Sequence, residues 1–289
     1  MTKLNMIRHW LSVLTNQQRP FRFLISRLLM RTGLSRFILI RRGRYTIRFY
    51  PSSSLSGAIW VRPESRQRTE RFFRDYLREG DTVVDIGANI GTMTLEAAIS
   101  VGSSGKVFSI EPHPRTFKYL EGNLRLNQVT NVRAHNVAMG DKDGRITFSD
   151  RSDDSNNSVV EDGNGIEIPV RRLDDLGIDE EKIALVKIDT EGYEKYVIEG
   201  GVNTLSNAEC VYFESADSLF KPFGYSAPAV FELLSEQGFA VFEITPTNII
   251  SKIPDGHTSS VKEDLVAIRN KDEFLARTGG HLAADKSSN

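Results

Sequence analysis

At 289 residues, 39% of them hydrophobic, the chain can bury one sizeable core, as a single large domain or a domain with an appendage. Its one cysteine, Cys210, excludes an internal disulfide framework and fits a reducing compartment, so a cytoplasmic location is expected. The net charge of −1 conceals an asymmetry: residues 1–50 carry eleven Lys and Arg and no Asp or Glu, which leaves −12 for the remainder, and a basic arm on an acidic body suits an anionic surface.

Within that arm, Leu4, Ile7, Leu11 and Leu14 recur at helical spacing. After Pro20, the residues Phe21, Leu24, Ile25, Leu28 and Leu29 form one apolar face of a second helix, which Gly33 can end. No apolar run approaches the ~18 residues of a membrane span, and the first fifteen residues lack a signal-peptide core. The arm therefore is expected either to lie on an anionic membrane, peripherally at its inner face, or to pack on the body with a solvated basic rim. An organelle transit peptide shares this Arg-rich, acid-free composition. Nucleic acid is not an expected partner, because no aromatic-interleaved binding module accompanies the arginines. Arg36 to Ile40 and Tyr45 to Tyr50 read as a hairpin, and residues 51–54 as a loop. A helix from about Glu64 to Glu79 follows, with Phe72, Phe73, Tyr76 and Leu77 inward and Gly80 as its stop. These boundaries predict a basic helical arm with the start of the hairpin over 1–50, a main domain over 51–279 with its core at about 64–270, and a disordered tail over 280–289.

The stretch Thr82 to Gly91 changes from a β-branched apolar run to Gly-x-x-x-Gly and then to the helical pattern of Met93, Leu95, Ala97 and Ala98. A strand, tight turn and helix of this kind hold a nucleotide-like ligand. Gly87 and Gly91 let the backbone approach the ligand, the turn including Asn89 lies at a helix N-terminus, and Asp85 can accept hydrogen bonds from a ligand amine or hydroxyl. Lys106 to Pro112 is a second strand, ending in Glu111, 26 residues after Asp85. One helix plus one strand places Glu111 at the same sheet edge, where an acid binds the two hydroxyls of a ribose. Capping of the next helix is its alternative role. Pro112, His113 and Pro114 would form a loop over an adenine face. A helix from Arg115 to Val129 and a strand from Val132 to Met139 follow, with Asn136 either an adenine contact or a turn cap. After the strand Arg145 to Phe148, the loop from Ser149 to Gly165 contains Asp150, Asp153, Asp154, Glu161 and Asp162 and reads as a flap near the substrate opening.

Ala184 to Ile188 reads as a buried parallel strand that opens into the acidic turn Asp189, Thr190, Glu191. In an open α/β sheet the ligand edge is the carboxyl end of the strands, so Asp189 and Glu191 face the crevice of Asp85 and Glu111. Four carboxylates suit a cationic ligand such as a sulfonium cofactor, whereas a dinucleotide is anionic at its pyrophosphate. The turn also lacks the Gly-x-Gly-x-x-Gly spacing of dinucleotide binders.

Taken together, Val84 to Gly91, Ile110 to Pro112, Val186 to Glu194 and Val211 to Glu214 resemble the FkbM-type methyltransferases, over about residues 70 to 245. That resemblance implies S-adenosylmethionine as cofactor and an α/β, Rossmann-like class I methyltransferase sheet of seven strands, mostly parallel with an antiparallel last strand. The helical and hairpin extension at the N-terminus lies outside it. By similarity, Asp85, Gly87 and Gly91 would bind the methionine part of the cofactor and Glu111 the ribose. Members of the family are similar in methylating hydroxyl groups, often on sugars, glycans or natural-product scaffolds, so a small-molecule or glycan acceptor is expected.

Methyl transfer from a sulfonium is an in-line displacement, so the enzyme positions the acceptor oxygen and removes its proton. Asp189, Glu191 and Glu214 are the candidates for that base, with helix capping the alternative for Glu191 and cofactor or sugar binding the alternative for either turn acid. No His or Asp spacing demands a metal, although a divalent ion on these three acids is conceivable. A helix from Pro228 to Gln237 leads to Phe239 to Ile244 and Leu265 to Arg269, an antiparallel pair closing the sheet and joined by a loop over 246–264 that contains His257. Two other readings stand beside the methyltransferase: an NAD-dependent oxidoreductase, which would need the missing phosphate-cradling turn, and a membrane-surface scaffold that has lost catalysis.

Overall fold

The computed structural model describes residues 18–151, 157–160, 165–245, 247, 249–254 and 256–282. The pattern at Leu4 to Leu14 lies outside the described residues, as do four of the five flap acids and the last seven positions.

Two strands in which every residue is buried set the middle of the molecule, β3 and β9 in chain order. The hairpin is β1 (Leu39–Arg42) and β2 (Tyr45–Arg48), and β3 (Thr82–Ile86), β4 (Lys106–Ile110) and β5 (Val132–His135) follow. Next come β6 (Ala138–Met139), β7 (Gly144–Phe148) and β8 (Ile166–Arg171), then β9 (Ile183–Ile188) and β10 (Ala208–Ser215). The chain closes with β11 (Ala240–Ile244), β12 (Ile249–Lys252), β13 (Glu263–Ile268) and β14 (His281–Leu282). The main sheet has nine strands in the order β14-β12-β11-β13-β10-β9-β3-β4-β5. From β10 to β5 all neighbours are parallel, and β13 lies antiparallel to both β10 and β11. Parallel strands covered on both faces read as near-continuous apolar runs, which is why Val83, Val84, Leu185 and Val186 are all fully buried. Alternate side chains feed two core layers: Val84, Ile86, Val186 and Ile188 on one face, Val83, Val107 and Leu185 on the other.

Three expectations change here. The seven-stranded sheet implied by the family resemblance is extended by β12 and β14, so the final antiparallel pair does not close it. The first two residues after Gly280 are an edge strand paired with Ile249 and Ile250, so disorder does not begin at 280. The strand expected over Val132 to Met139 breaks after His135, and β6 joins β7 and β8 in a separate three-stranded sheet that carries Phe148 toward the sheet edge.

The basic segment divides into two parts with opposite fates. Its helix, Pro20–Thr32, begins with the expected Pro and ends at Gly33 in the left-handed conformation. Ser26 is its buried residue, with Leu29 and Met30 packed on the body, whereas Phe21, Leu24, Ile25 and Leu28 face solvent. The hairpin, by contrast, is core. Tyr45, Ile47 and Phe49 pack with Ile90, Leu95 and Leu120, which moves the edge of the main domain from residue 50 to ahead of β1. An unpredicted helix, Ser54–Val61, capped by the Ser53 hydroxyl, completes this layer.

Arg42 is almost wholly buried and donates through Nε and Nη2 to Glu70 Oε1 at 3.1 and 2.6 Å, and the Tyr45 hydroxyl donates to the same oxygen. Further Arg42 donors reach the carbonyls of Pro63 and Ser65. Breaking one partner of a buried pair leaves the other charge uncompensated. Glu70→Gln is therefore expected to lower stability by about 3 kcal/mol or more in equilibrium chemical denaturation.

Candidate active site

The strands β5, β4, β3, β9 and β10 lie side by side, so the loops after them meet along one edge in that order. These loops border a cavity of ≈ 680 Å³ that is open to solvent. Its apolar wall is Ile110, Pro112, Val137, Met139, Phe148 and Val159, and its polar side is Asn89, Glu111, Asp189, Thr190, Glu191 and Arg66. Asn157 and Val159, the described flap residues at the cavity, stand beside Val137 and Met139.

At the junction of β3 and β9 a buried lysine joins the two motifs. Lys187 Nζ lies 3.1 Å from Asp85 Oδ1 and 3.5 Å from Asp189 Oδ2, and donates to the carbonyls of Gly87 at 3.1 Å and Ile86 at 3.3 Å. Burial works against its charge, but Asp85 and Asp189 outweigh burial and hold its pKa above the usual lysine value. Asp85 also accepts from the Thr94 hydroxyl at 2.6 Å and is fully buried. It lies behind the cavity wall, because its lysine partner claims the carboxylate that was expected to meet a ligand.

The glycines likewise answer to the protein itself. Gly87 has φ +76°, and a Cβ there would stand 1.8 Å from the Asp189 carbonyl oxygen, so the two loops interlock at this residue, which also lines the cavity. Gly91 lies away from the cavity lining, and a Cβ on it would meet Leu120 Cδ1 at 2.4 Å. Both positions are confined by close packing within the protein.

Glu111 faces the cavity with both oxygens engaged on its inner side. Oε2 accepts from the Asn89 amide and Oε1 from the His113 amide, each at 2.9 Å. A carboxylate oxygen can accept more than one hydrogen bond, so the anchored group still offers acceptors to a pair of hydroxyls. His113, not Glu111, caps the helix Pro114–Leu126, accepting from the Arg115 amide through Nδ1, while its Nε2 meets Asp150 at 3.1 Å. Asn136 is exposed and outside the cavity lining; its amide donates to the carbonyls of Glu111 at 2.8 Å and Pro112 at 2.9 Å and so fixes the loop below them. It tethers the turn, the second of the two roles considered for it.

The acidic turn is held from beneath by Glu194, fully buried, which accepts from the Thr190 amide at 2.8 Å, the Thr190 hydroxyl at 3.0 Å and the Gly192 amide at 3.0 Å. Burial pushes its pKa up to about 7. Glu194 thus ties down the turn ahead of its helix, and Glu191, at φ +53°, lines the cavity. The carboxylates of Asp189, Glu191 and Glu214 converge, with ligand oxygens within 4.8 Å of one another. Lys262 supplies positive charge between two of them, its Nζ 2.5 Å from Glu214 and 3.3 Å from Glu191. Glu214 sits at the end of β10, behind Glu191 rather than in the cavity lining.

These acids are not equivalent. Burial opposes the charge of Asp189, but Lys187, Arg66 and Lys262 outweigh it and hold the pKa below the ordinary value. Burial and the charge of Asp189 raise Glu191, and burial with Asp189 and Glu191 pushes Glu214 up to about 8 despite Lys262. Arg66, Lys187, Glu194 and Lys262 were absent from the expected set. Lys187 had a signal, a lysine inside an otherwise apolar strand beside an aspartate, whereas Arg66 and Lys262 arrive from distant segments with none. Because the Gly87 contact is with backbone at a positive φ, Gly87→Ala should cost about 2–4 kcal/mol in denaturation measurements, through overpacking and strain together.

The sequence matches the Methyltransferase FkbM domain over residues 85–241. It is 28% identical over 180 residues to the 2-O-methyltransferase NoeI of Sinorhizobium fredii (strain NBRC 101917 / NGR234), covering 54% of this chain and 72% of that protein. It is 28% identical over 143 residues to Methyltransferase 1 of Beauveria bassiana, covering 41% of this chain and 57% of that protein. Among solved structures, a SAM-dependent O-methyltransferase from Thermotoga maritima aligns with a TM-score of 0.41 at 18% identity, over 71% of this chain and 65% of that one. A SAM-dependent methyltransferase from Aquifex aeolicus aligns with a TM-score of 0.44 at 12% identity, over 72% and 94%. The chain belongs to the FkbM methyltransferase family, and is an S-adenosylmethionine-dependent methyltransferase with a mostly parallel α/β sheet.

Proposed function

We propose that the protein methylates a hydroxyl oxygen on a sugar, glycan or natural-product acceptor. The observation that carries this reading is Glu191, a cavity-lining carboxylate with a raised pKa, two residues after Asp189 in the turn that follows β9 and backed by Glu214 and Lys262. The name of the Sinorhizobium relative, a 2-O-methyltransferase, supports oxygen as the attacked atom.

The donor set fits S-adenosylmethionine. Glu111, held by two amides, faces the place of a ribose diol, and Pro112, Val137, Met139 and Phe148 offer an apolar slot for an adenine. Asp189, kept ionised by its neighbours, suits the ammonium of the methionine part, with Gly87 lining that end and Asp85 acting through Lys187. When bound, the cofactor supplies a methyl group made electrophilic by a sulfonium. The chain's own task is to orient the acceptor oxygen in line and to take its proton. Glu191 takes that proton, and Glu214 and Lys262 set its charge.

A base must be ionised to act, and a raised pKa brings its ionisation toward neutral pH. Methyl transfer from methyl-tritiated cofactor to a panel of sugars, glycans and phenols should therefore rise with pH along a limb displaced above the ordinary carboxylate range, because burial and Asp189 raise Glu191. Glu191→Gln should lower kcat by about 100-fold or more. Glu214→Gln, at a carboxyl outside the cavity lining, should give a smaller loss. Label recovered on nitrogen, or an undiminished rate in Glu191→Gln, would sink this reading.

We also propose that the basic arm contacts anionic membrane. No helix among the described residues is long and apolar enough to cross a membrane. The helix Pro20–Thr32 nevertheless turns Phe21, Leu24, Ile25 and Leu28 to solvent, and Leu34, Phe37 and Leu39 continue that ridge into the hairpin. Arg22, Arg27, Arg31, Arg36 and Arg41 accompany it with no acid in the segment. An apolar ridge among cations matches an interfacial element. Sedimentation with phosphatidylserine vesicles at low salt should capture the protein, and Phe21→Glu with Leu28→Glu and Phe37→Glu should abolish most of that capture without unfolding it; wild-type protein left in the supernatant would refute the contact.

A further inference from the structure

We infer that Arg66 is the residue that binds the carboxylate of the cofactor's methionine part. This rests on the cofactor placement given above.

Arg66 reaches the cavity from the segment before the helix Gln67–Tyr76, and nothing in the family motifs includes it. Its Nη1 lies 3.5 Å from Asp189 Oδ2, the same oxygen that stands 3.5 Å from Lys187 Nζ. Both ion pairs on that oxygen are long, and among the described residues Asp189 is the carboxylate paired with Arg66. A guanidinium has five N–H donors in a fixed fork, so one long contact leaves most of its capacity unused. The side chain is 35% exposed at the cavity, beside Gly87 and Thr190, which is the methionine end by the order of the strands.

An α-amino acid presents an ammonium and a carboxylate on one carbon. Asp189 and Arg66 present the opposite charges side by side, so the pair is complementary to that zwitterion: the ammonium meets Asp189 and the carboxylate meets Arg66. The wall contains no other lining cation, among the described residues, that could serve the carboxylate, since Lys187 is committed behind it and Lys262 lies with Glu191 and Glu214. The backbone contributes as well. Arg66 sits at φ +68°, ahead of a helix whose loop is fastened by Arg42 to the carbonyls of Pro63 and Ser65, so the guanidinium is delivered from a fixed base.

The test is calorimetric titration of the full-length protein with S-adenosylhomocysteine and with its decarboxylated analogue, which keeps the amine and lacks the carboxylate, for wild type, Arg66→Gln and Arg66→Lys. Wild type should bind S-adenosylhomocysteine more tightly. Arg66→Gln should weaken that ligand about 10- to 100-fold while leaving the decarboxylated analogue within about threefold, and Arg66→Lys, which keeps the charge but loses the fork, should fall between. Because the analogue reports an intact cavity, a folding defect is separable from lost recognition. Equal weakening of both ligands, or no weakening of either, would overturn the role of Arg66. Failure of wild type to bind either ligand would overturn the cofactor placement instead.

Discussion

The buried ammonium of Lys187 is the constraint on which the rest of the site depends. Two carboxylates, Asp85 and Asp189, close adjacent parallel strands at the switch point of the sheet, and both lie in or against the core. Without a cation between them their desolvation would be uncompensated. The lysine meets both and also donates to the carbonyls of Ile86 and Gly87, so it fixes the end of β3 against the end of β9. Once those ends are locked, Gly87 has no room for a side chain, and the acidic turn must leave β9 along one path. Glu194 then holds that turn from below. The cavity is thus shaped by an internal charge cluster before any ligand is considered.

A second buried cation connects the site to a part of the chain outside the family match. Arg42, on the hairpin, pairs with Glu70 and fastens the loop that carries Arg66. The hairpin therefore is not an accessory to the basic arm. Its inner residues share a core with the helix that follows the first glycine turn, and its arginine sets the base of a cavity residue. The preceding helix, the short segment after it and Leu39 at the start of the hairpin present apolar side chains to solvent. Charge in this segment divides in the same way: Arg42 is spent inside, while the neighbouring arginines remain on the surface.

How much of this could be read from the residues follows from which interactions are local. The central strands, the glycine turn and the position of Glu111 were legible because each rests on a run of ten residues or fewer and on the fixed length of a βαβ unit. The protein's own contacts at Asp85 and the glycines were not legible there, for one reason. A motif shows which residues stand near a ligand edge, but not that Asp85 faces a lysine one strand away, or that Gly87 faces a carbonyl two motifs later. For Asn136 the residues left two roles open, and its hydrogen bonds to the Glu111 and Pro112 carbonyls show the tethering one. Arg66 and Lys262 had no local pattern at all, since one precedes the first motif and the other sits in the loop between β12 and β13.

The division of labour among the converging acids follows from how cations are shared. Asp189 is one carboxylate between Lys187 and Arg66, and it stays ionised. Glu191 and Glu214 are two carboxylates around Lys262, and both are driven toward the protonated form. A carboxylate with ample positive charge around it stays ionised and is a poor base; carboxylates with less resist ionisation until a further positive charge comes near. The same cluster therefore contains a place suited to an ammonium and, next to it, a pair whose ionisation becomes more favourable when a cationic ligand is near. Binding of a sulfonium and readiness to accept a proton are in this way linked by electrostatics alone, without any movement of the backbone.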